Sequence, residues 1–302
     1  MEMAKRFGGL KKISKRLSDY KFRRLEEIDL SFSEEELFDR SMEKTPSLLF
    51  LGYYSREGIE LALQKYGVYE RFRELGFGNL QLVMDPRDPY RQRLAIYSVI
   101  EGLNARLLLS EIVVRRKFVK FAPPFSSPVA GQSYEMLFIE WLCMQDPRKK
   151  FTLERPRLPG QEYPGLGGGK IALHLISMAC RRLRLAGVIS VPEYFHNAQM
   201  YSRAFMFIDP DSEGKRRAIW RDLMDGLNLA NVSWAIERGC VYENGKPFKW
   251  FIDDQMIPLQ RDLKAYFTSS AYLSRVREAE AQYLYTLDEK RWEKQRKQLP
   301  AE

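Results

Sequence analysis

The 302-residue chain is 45% hydrophobic and 29% charged, the balance of a globular protein long enough to bury one large core or two smaller ones. Its apolar runs, such as Ala105–Val114, are broken well short of the ~18 residues that span a bilayer. The basic start Met1–Tyr20 has no continuous apolar stretch or small-residue cleavage site. Cys143, Cys180 and Cys240 are scattered and His174 and His196 sit in no ligand spacing, so a soluble protein of a reducing cytoplasm is expected, with no disulfide framework and no metal.

The net charge of +9 is concentrated at one end. Residues 1–24 hold nine Lys/Arg against Glu2 and Asp19, leaving the remainder of the chain at +2. Phe7, Leu10, Ile13, Leu17 and Tyr20 recur at helical spacing among those cations, predicting an amphipathic helix. It either contacts an anionic surface or nucleic acid, or docks its apolar stripe on the body and leaves its charges solvated. Ser33-Glu34-Glu35-Glu36 reads as a capping box opening a short acidic helix.

Ser47–Tyr54 then reads as a buried strand. A helical stretch runs from about Arg56 to Leu75, is broken by Gly76-Phe77-Gly78, and is followed by a strand over Leu80–Met84. Asp85-Pro86-Arg87-Asp88-Pro89 is a turn by composition. Arg93–Ile100 and Arg106–Val119 are β-rich and can pair antiparallel around Glu101-Gly102-Leu103-Asn104. After the loop Pro123–Gln132 comes a long apolar segment, Tyr134–Gln145.

From Asp146 to Pro164 the chain is basic and Pro-rich, and it leads into Gly165-Leu166-Gly167-Gly168-Gly169. A helix is expected from Lys170 to Leu185, a strand over Val188–Val191, a helix over Pro192–Arg203 and a strand over Phe205–Ile208. Residues 213–302 read as mostly helical, with one hairpin, Val241–Phe251, around Asn244-Gly245. Asp253-Asp254 reads as a cap for the helix that follows. His196 reads as a capping or surface residue rather than a general base.

A glycine-rich turn opening a helix presents backbone N–H groups with no intrahelical partner, a ready site for phosphate. Two well-known nucleotide loops do not fit. A P-loop would place its first glycine at Pro164 and Ser or Thr at Ile171, and a dinucleotide GxGxxG would need glycine at Lys170.

The order of strand, glycine loop, helix, strand, helix and strand resembles the GNAT superfamily of N-acetyltransferases. In that family Gln or Arg, two residues, Gly, one residue, then Gly or Ala opens a helix and binds the pyrophosphate of coenzyme A. Here Gly165-Leu166-Gly167 supplies the glycines, with Glu162 at the Gln/Arg position and Gln161 one place early. Beyond the helix, Asn197, Ala198, Tyr201 and Phe205 follow the family order, with Ala204 in place of its glycine.

The resemblance implies an α+β fold with a mixed, largely antiparallel central sheet flanked by helices, acyl-CoA N-acyltransferase-like over residues 46–212. Residues 1–45 would be a helical extension, and 213–302 a mainly helical region with the hairpin at 241–251. It implies direct transfer of an acetyl or longer acyl group from acyl-CoA, such as acetyl-CoA, to an amine of a small molecule or peptide. Coenzyme A contacts fall at Glu162, Gly165, Leu166, Gly167, Gly168, Gly169, Lys170 and Asn197, with Glu140 as base and Tyr201 as the acid for the leaving thiolate.

Each residue also has a structural reading. Glu140 can pair with Arg115 or Arg116, and Tyr201 can be a packed helix tyrosine. Arg148, Lys149, Lys150, Arg155, Arg157 and Lys170 either meet the nucleotide phosphates or form a solvated loop. Two other functions stand beside the enzyme: a non-catalytic binding protein on the same fold, and a nucleic-acid-associated protein using its basic arm.

Overall fold

The computed structural model describes residues 49–88, 91–102 and 105–299. The basic helix expected over 3–24 and the capping box at Ser33 lie outside them. The first helices are α1 (Arg56–Lys65) and α2 (Val68–Glu74). Ser55 caps α1 by accepting the Gly58 N–H at 3.1 Å. Gly67, at φ +74°, turns the chain between the two helices.

Four strands follow as an antiparallel meander: β1 (Leu80–Asp85), β2 (Gln92–Ile100), β3 (Ala105–Lys120) and β4 (Ser133–Met144). Helix α3 (Gly169–Arg182) carries the chain to β5 (Gly187–Ser190), which lies parallel to β4. Helix α4 (Phe195–Met200) and the two-residue β6 (Met206–Phe207) come next.

The chain then leaves the sheet. It forms α5 (Pro210–Leu223), α6 (Leu229–Glu237) and a hairpin of β7 (Val241–Glu243) and β8 (Lys246–Pro247). It returns as β9 (Gln255–Pro258), between β5 and β6. The seven-stranded order is β1-β2-β3-β4-β5-β9-β6, mixed because β4 and β5 are parallel. Helices α7 (Arg261–Thr268) and α8 (Ser270–Gln282), strand β10 (Tyr285–Leu287) and helix α9 (Glu289–Arg296) complete the described chain. The fold is α+β, as the sequence suggests.

Alternation along the strands sends side chains to two faces. On one face Leu82, Ile96, Leu109, Leu137 and Val188 pack with α1, α2 and α3. On the other, Met136, Ile189 and Met256 pack against Leu263, Phe267, Tyr272 and Val276 of α7 and α8. A third core joins α4, α5, α6 and α9 to the small β10-β7-β8 sheet through Ala218, Val232, Tyr285 and Trp292. Among the described residues no helix is long and apolar enough to cross a membrane.

Four expectations are corrected. The described part of Ser47–Tyr54 is a tight turn closed by a Phe50–Tyr54 bridge, with Leu51 and Gly52 at φ +56° and +69°. Phe50 and Leu51 are buried because the turn plugs the helix-side core, and the Leu51 N–H and carbonyl are taken by Gln92 and Arg116. Asp253 and Asp254 cap no helix: α7 starts at Arg261 behind Gln260, and the Asp254 carbonyl instead accepts from Ile208. His196 is buried inside α4 rather than at its cap or on the surface. The boundary drawn at 212 passes between β6 and its neighbour β9, so the C-terminal region supplies a strand of the central sheet.

Candidate ligand site at a gap beside strand β4

Strand β4 changes partners along its length. Met136 to Ile139 pair with Gly187 to Ser190 of β5. β5 ends there, because Pro192 follows and has no N–H to offer. At the far end the loop ahead of α3 takes over the same edge: Leu166 donates to the Met144 carbonyl at 3.2 Å and Asp146 donates to that of Pro164 at 2.8 Å. Among the described residues, 140–143 of that edge therefore face no strand.

A bulge sits at the start of this gap. Opposite β3, Val114 pairs with Ile139 and Val113 with Trp141, so Glu140 is the extra residue. Bulges bend a strand and re-aim its side chains. Glu140 pairs with Arg115 at 2.9 Å and Arg91 at 3.7 Å, while Arg116 pairs with Glu135 at 2.7 Å.

The glycine loop forms the far wall. Gly167 has φ +75° with open space where a Cβ would stand, and Gly165 and Gly167 are exposed while Leu166 and Gly168 are buried. A Cβ on Gly168 would fall 2.3 Å from the Met144 methyl, and one on Gly169 2.8 Å from the Tyr201 hydroxyl. Those two glycines let the helix start close against β4 and α4. Gly168 caps α3 with no side-chain hydrogen bond, and its carbonyl takes the Ala172 N–H at 3.1 Å. The N–H groups of residues 169–171 are those that a helix leaves without an internal partner.

Tyr201 therefore stands at the first turn of α3, half-buried, and burial raises its phenol above the ordinary range. Short α4, which carries it, is braced from behind: Gln199 accepts from Arg216 at 2.5 Å, and Arg216 pairs with the buried Glu213 at 2.6 Å. Burial works to raise the Glu213 carboxyl, but Arg216 and Arg217 outweigh it and hold the group below the usual carboxylate range. The thiol of Cys143, on the gap, is pushed up to about 11 by burial and by Glu111 and Glu162. His196, one helical turn from Gln199, is lowered to about 4 by burial.

Glu140 stands at one end of the gap, paired with Arg115 and Arg91, and the loop Gly165 to Gly169 with Tyr201 stands at the other. Glu162 is exposed within electrostatic reach of Cys143. Lys170 is exposed on the first turn of α3, and Asn197 is half-buried on α4 with its N–H on the Tyr194 carbonyl at 3.1 Å. Half of the basic loop cluster is committed to structure, while Lys150, Arg155 and Lys170 are exposed. Arg148 holds the Leu75 and Gly76 carbonyls at 2.7 and 2.9 Å and lies 3.5 Å over the Phe77 ring. Lys149 pairs with buried Asp146, and Arg157 donates to the Gln161 carbonyl. Met144, Gln199 and Arg216 belong to the site's walls and were not singled out from sequence. The (i, i+3) pair Glu213–Arg216 was the one local signal available.

No protein-family model matches this chain, and no curated protein matches it. A solved structure titled "The crystal structure of KacTA-DNA complex" matches at 14% identity, covering 49% of this chain and 72% of that chain. Its TM-score of 0.24 is too low to indicate a shared fold.

Proposed function

We propose that this chain is an acyl-CoA-dependent N-acyltransferase, moving an acetyl or longer acyl group directly to an amine. The supporting observation is the gap itself: an unpaired stretch of β4 edge bounded by a helix N-terminus and a tyrosine hydroxyl. The pantetheine arm of coenzyme A carries amides that can add to such an edge as an extended peptide would. The N–H groups of residues 169–171, at the positive end of α3, suit its pyrophosphate, and the open space at Gly167 admits it.

In the transfer a neutral amine attacks the thioester carbon, a C–N bond forms and the C–S bond breaks. The amine proton passes to Glu140, directly or through water, and the departing thiolate takes the proton of Tyr201. The raised phenol of Tyr201 keeps that proton in place until a strong base forms beside it. The ion pairs to Arg115 and Arg91 favour a second reading, a coenzyme A-binding protein without turnover, because they occupy the carboxylate that would serve as base.

Calorimetry with coenzyme A and a thiol-release assay over an amine panel test both. Gly167→Glu places a negative charge against an anionic ligand and is expected to weaken coenzyme A by at least 100-fold. Tyr201→Phe is expected to leave affinity intact while turnover falls about 100-fold. Binding without thiol release by the parent would establish the non-catalytic reading; absence of binding at millimolar coenzyme A would end both.

A further inference from the structure

Among the described residues, helices cover the face of the sheet that packs on α7 and α8 only from the first half of β4 across to β6. Over β1, β2, β3 and the end of β4 the same face carries Arg93, Ala95, Tyr97, Arg106, Glu111, Val113, Arg115, Lys117 and Trp141 by strand register. Ala95, Tyr97 and Val113 are buried there yet belong to none of the four cores of the described residues, and Arg106, Lys117 and Trp141 are the exposed members. We propose that this open half-face is a binding surface for single-stranded nucleic acid.

Charge is the first argument. Five cations (Arg91, Arg93, Arg106, Arg115 and Lys117) meet three acids (Asp85, Glu111 and Glu140) on this face. The face therefore carries a net +2, as much as the whole chain beyond residue 24. Arg93 and Arg115 are fixed by Glu111 and Glu140 at 2.5 and 2.9 Å. Arg106 and Lys117 are exposed, and among the described residues no carboxylate lies within ion-pair distance of either. From Arg106 to Lys117, β3 runs about 35 Å, room for several nucleotides.

The second argument is the flat side chains between those charges. Trp141 is 48% exposed on the bulged strand. The Arg106 guanidinium lies 4.3 Å over the buried Tyr97 ring, and Arg106 itself is exposed. Aromatic rings and guanidinium planes are the platforms on which unpaired bases stack, while interleaved cations track the backbone. A bilayer would instead require a protruding apolar surface, and among the described residues of this face only Val99 and Trp141 are large, apolar and exposed. A second copy related by a two-fold axis would set this cationic face against itself.

The test uses the full chain and a labelled 12-nucleotide oligo-dT, read by anisotropy and by tryptophan quenching. Trp141→Ala is expected to weaken binding about tenfold with unchanged thermal unfolding, and Arg106→Glu at least as much. Trp141→Phe keeps a stacking ring, so affinity should hold while most of the quenching disappears. Substituting Lys11, Lys12 and Lys15 by Gln separates the arm: the salt dependence should flatten while the quenching remains. The proposal is overturned if the parent does not bind the oligonucleotide, or if the two weakening variants bind like the parent. It is equally overturned if phosphatidylserine vesicles but not oligo-dT perturb Trp141, or if Trp141→Ala dissolves a dimer of the parent.

Discussion

The half of the central sheet from β4 to β6 and the half from β1 to β3 are one continuous ladder with opposite fates on the α7/α8 side. In the first, Met136, Ile189 and Met256 vanish beneath aromatic side chains of α7 and α8. In the second, the same side carries arginines tied to their neighbours by single carboxylates. Antiparallel strands tolerate a wet face, whereas a strand that joins a parallel pair is normally covered on both sides. The transition falls where β4 bulges at Glu140 and loses β5. A site at that point draws one wall from a rigid interior and another from an open surface.

The comparison predicts that stability is concentrated in the covered half and its supports. The largest effect is expected from Glu213→Gln, which strands Arg216 in the interior behind α4. Removing one member of a buried pair typically costs 3–5 kcal/mol, measurable by urea unfolding. Were the loss under about 1 kcal/mol, the brace would behave as a surface pair and the contrast would fail.

Next comes pH. The His196 imidazole is held near 4 in the folded protein against an ordinary 6.5. Between those values the unfolded chain takes up a proton that the native state refuses, so stability falls as pH drops from 6.5 to 4. The full span approaches about 3 kcal/mol. His196→Gln should flatten that part of the profile relative to the parent. Parallel profiles over this window would mean that the imidazole protonates freely in place.

The smallest effect is expected on the open half. Val83→Thr, half-buried on the side of β1 that no described helix covers and opposite Ala95, should shift unfolding by no more than about 0.5 kcal/mol. A loss of more than about 1.5 kcal/mol would show that a further part of the chain packs there, and would close the proposed nucleic-acid surface with it.

How much of this was legible depended on whether a signal was local. The hairpin at Asn244-Gly245 was, because both residues take positive φ, +49° and +78°. The β2–β3 pairing and the glycine loop were legible from alternation and composition. Strand β9 was not: Gln255–Pro258 is four buried residues ending in proline, and only its neighbours β5 and β6 make it a strand. Ser47–Tyr54 misled because an apolar run is the same whether it extends or turns, and the turn rests on Leu51 at positive φ. At the site, Glu140 facing Arg115 was one of the two readings open from sequence. The bulge that isolates it was not legible, since one extra residue in a ladder leaves no compositional trace.

The placing of β9 also orders events in time. While the chain emerges from the ribosome, β5 has β4 on one side and an unsatisfied edge on the other, and β6 has no partner in the central sheet until residues 255–258 arrive. The third core draws on residues both before and after β9, from Phe195 to Trp292, and holds its own hairpin. Nascent chains stopped before Pro258 would therefore expose an open strand edge of the kind that recruits other chains. The late closing of that edge makes chaperone demand during synthesis a property of the topology rather than of the finished protein's stability.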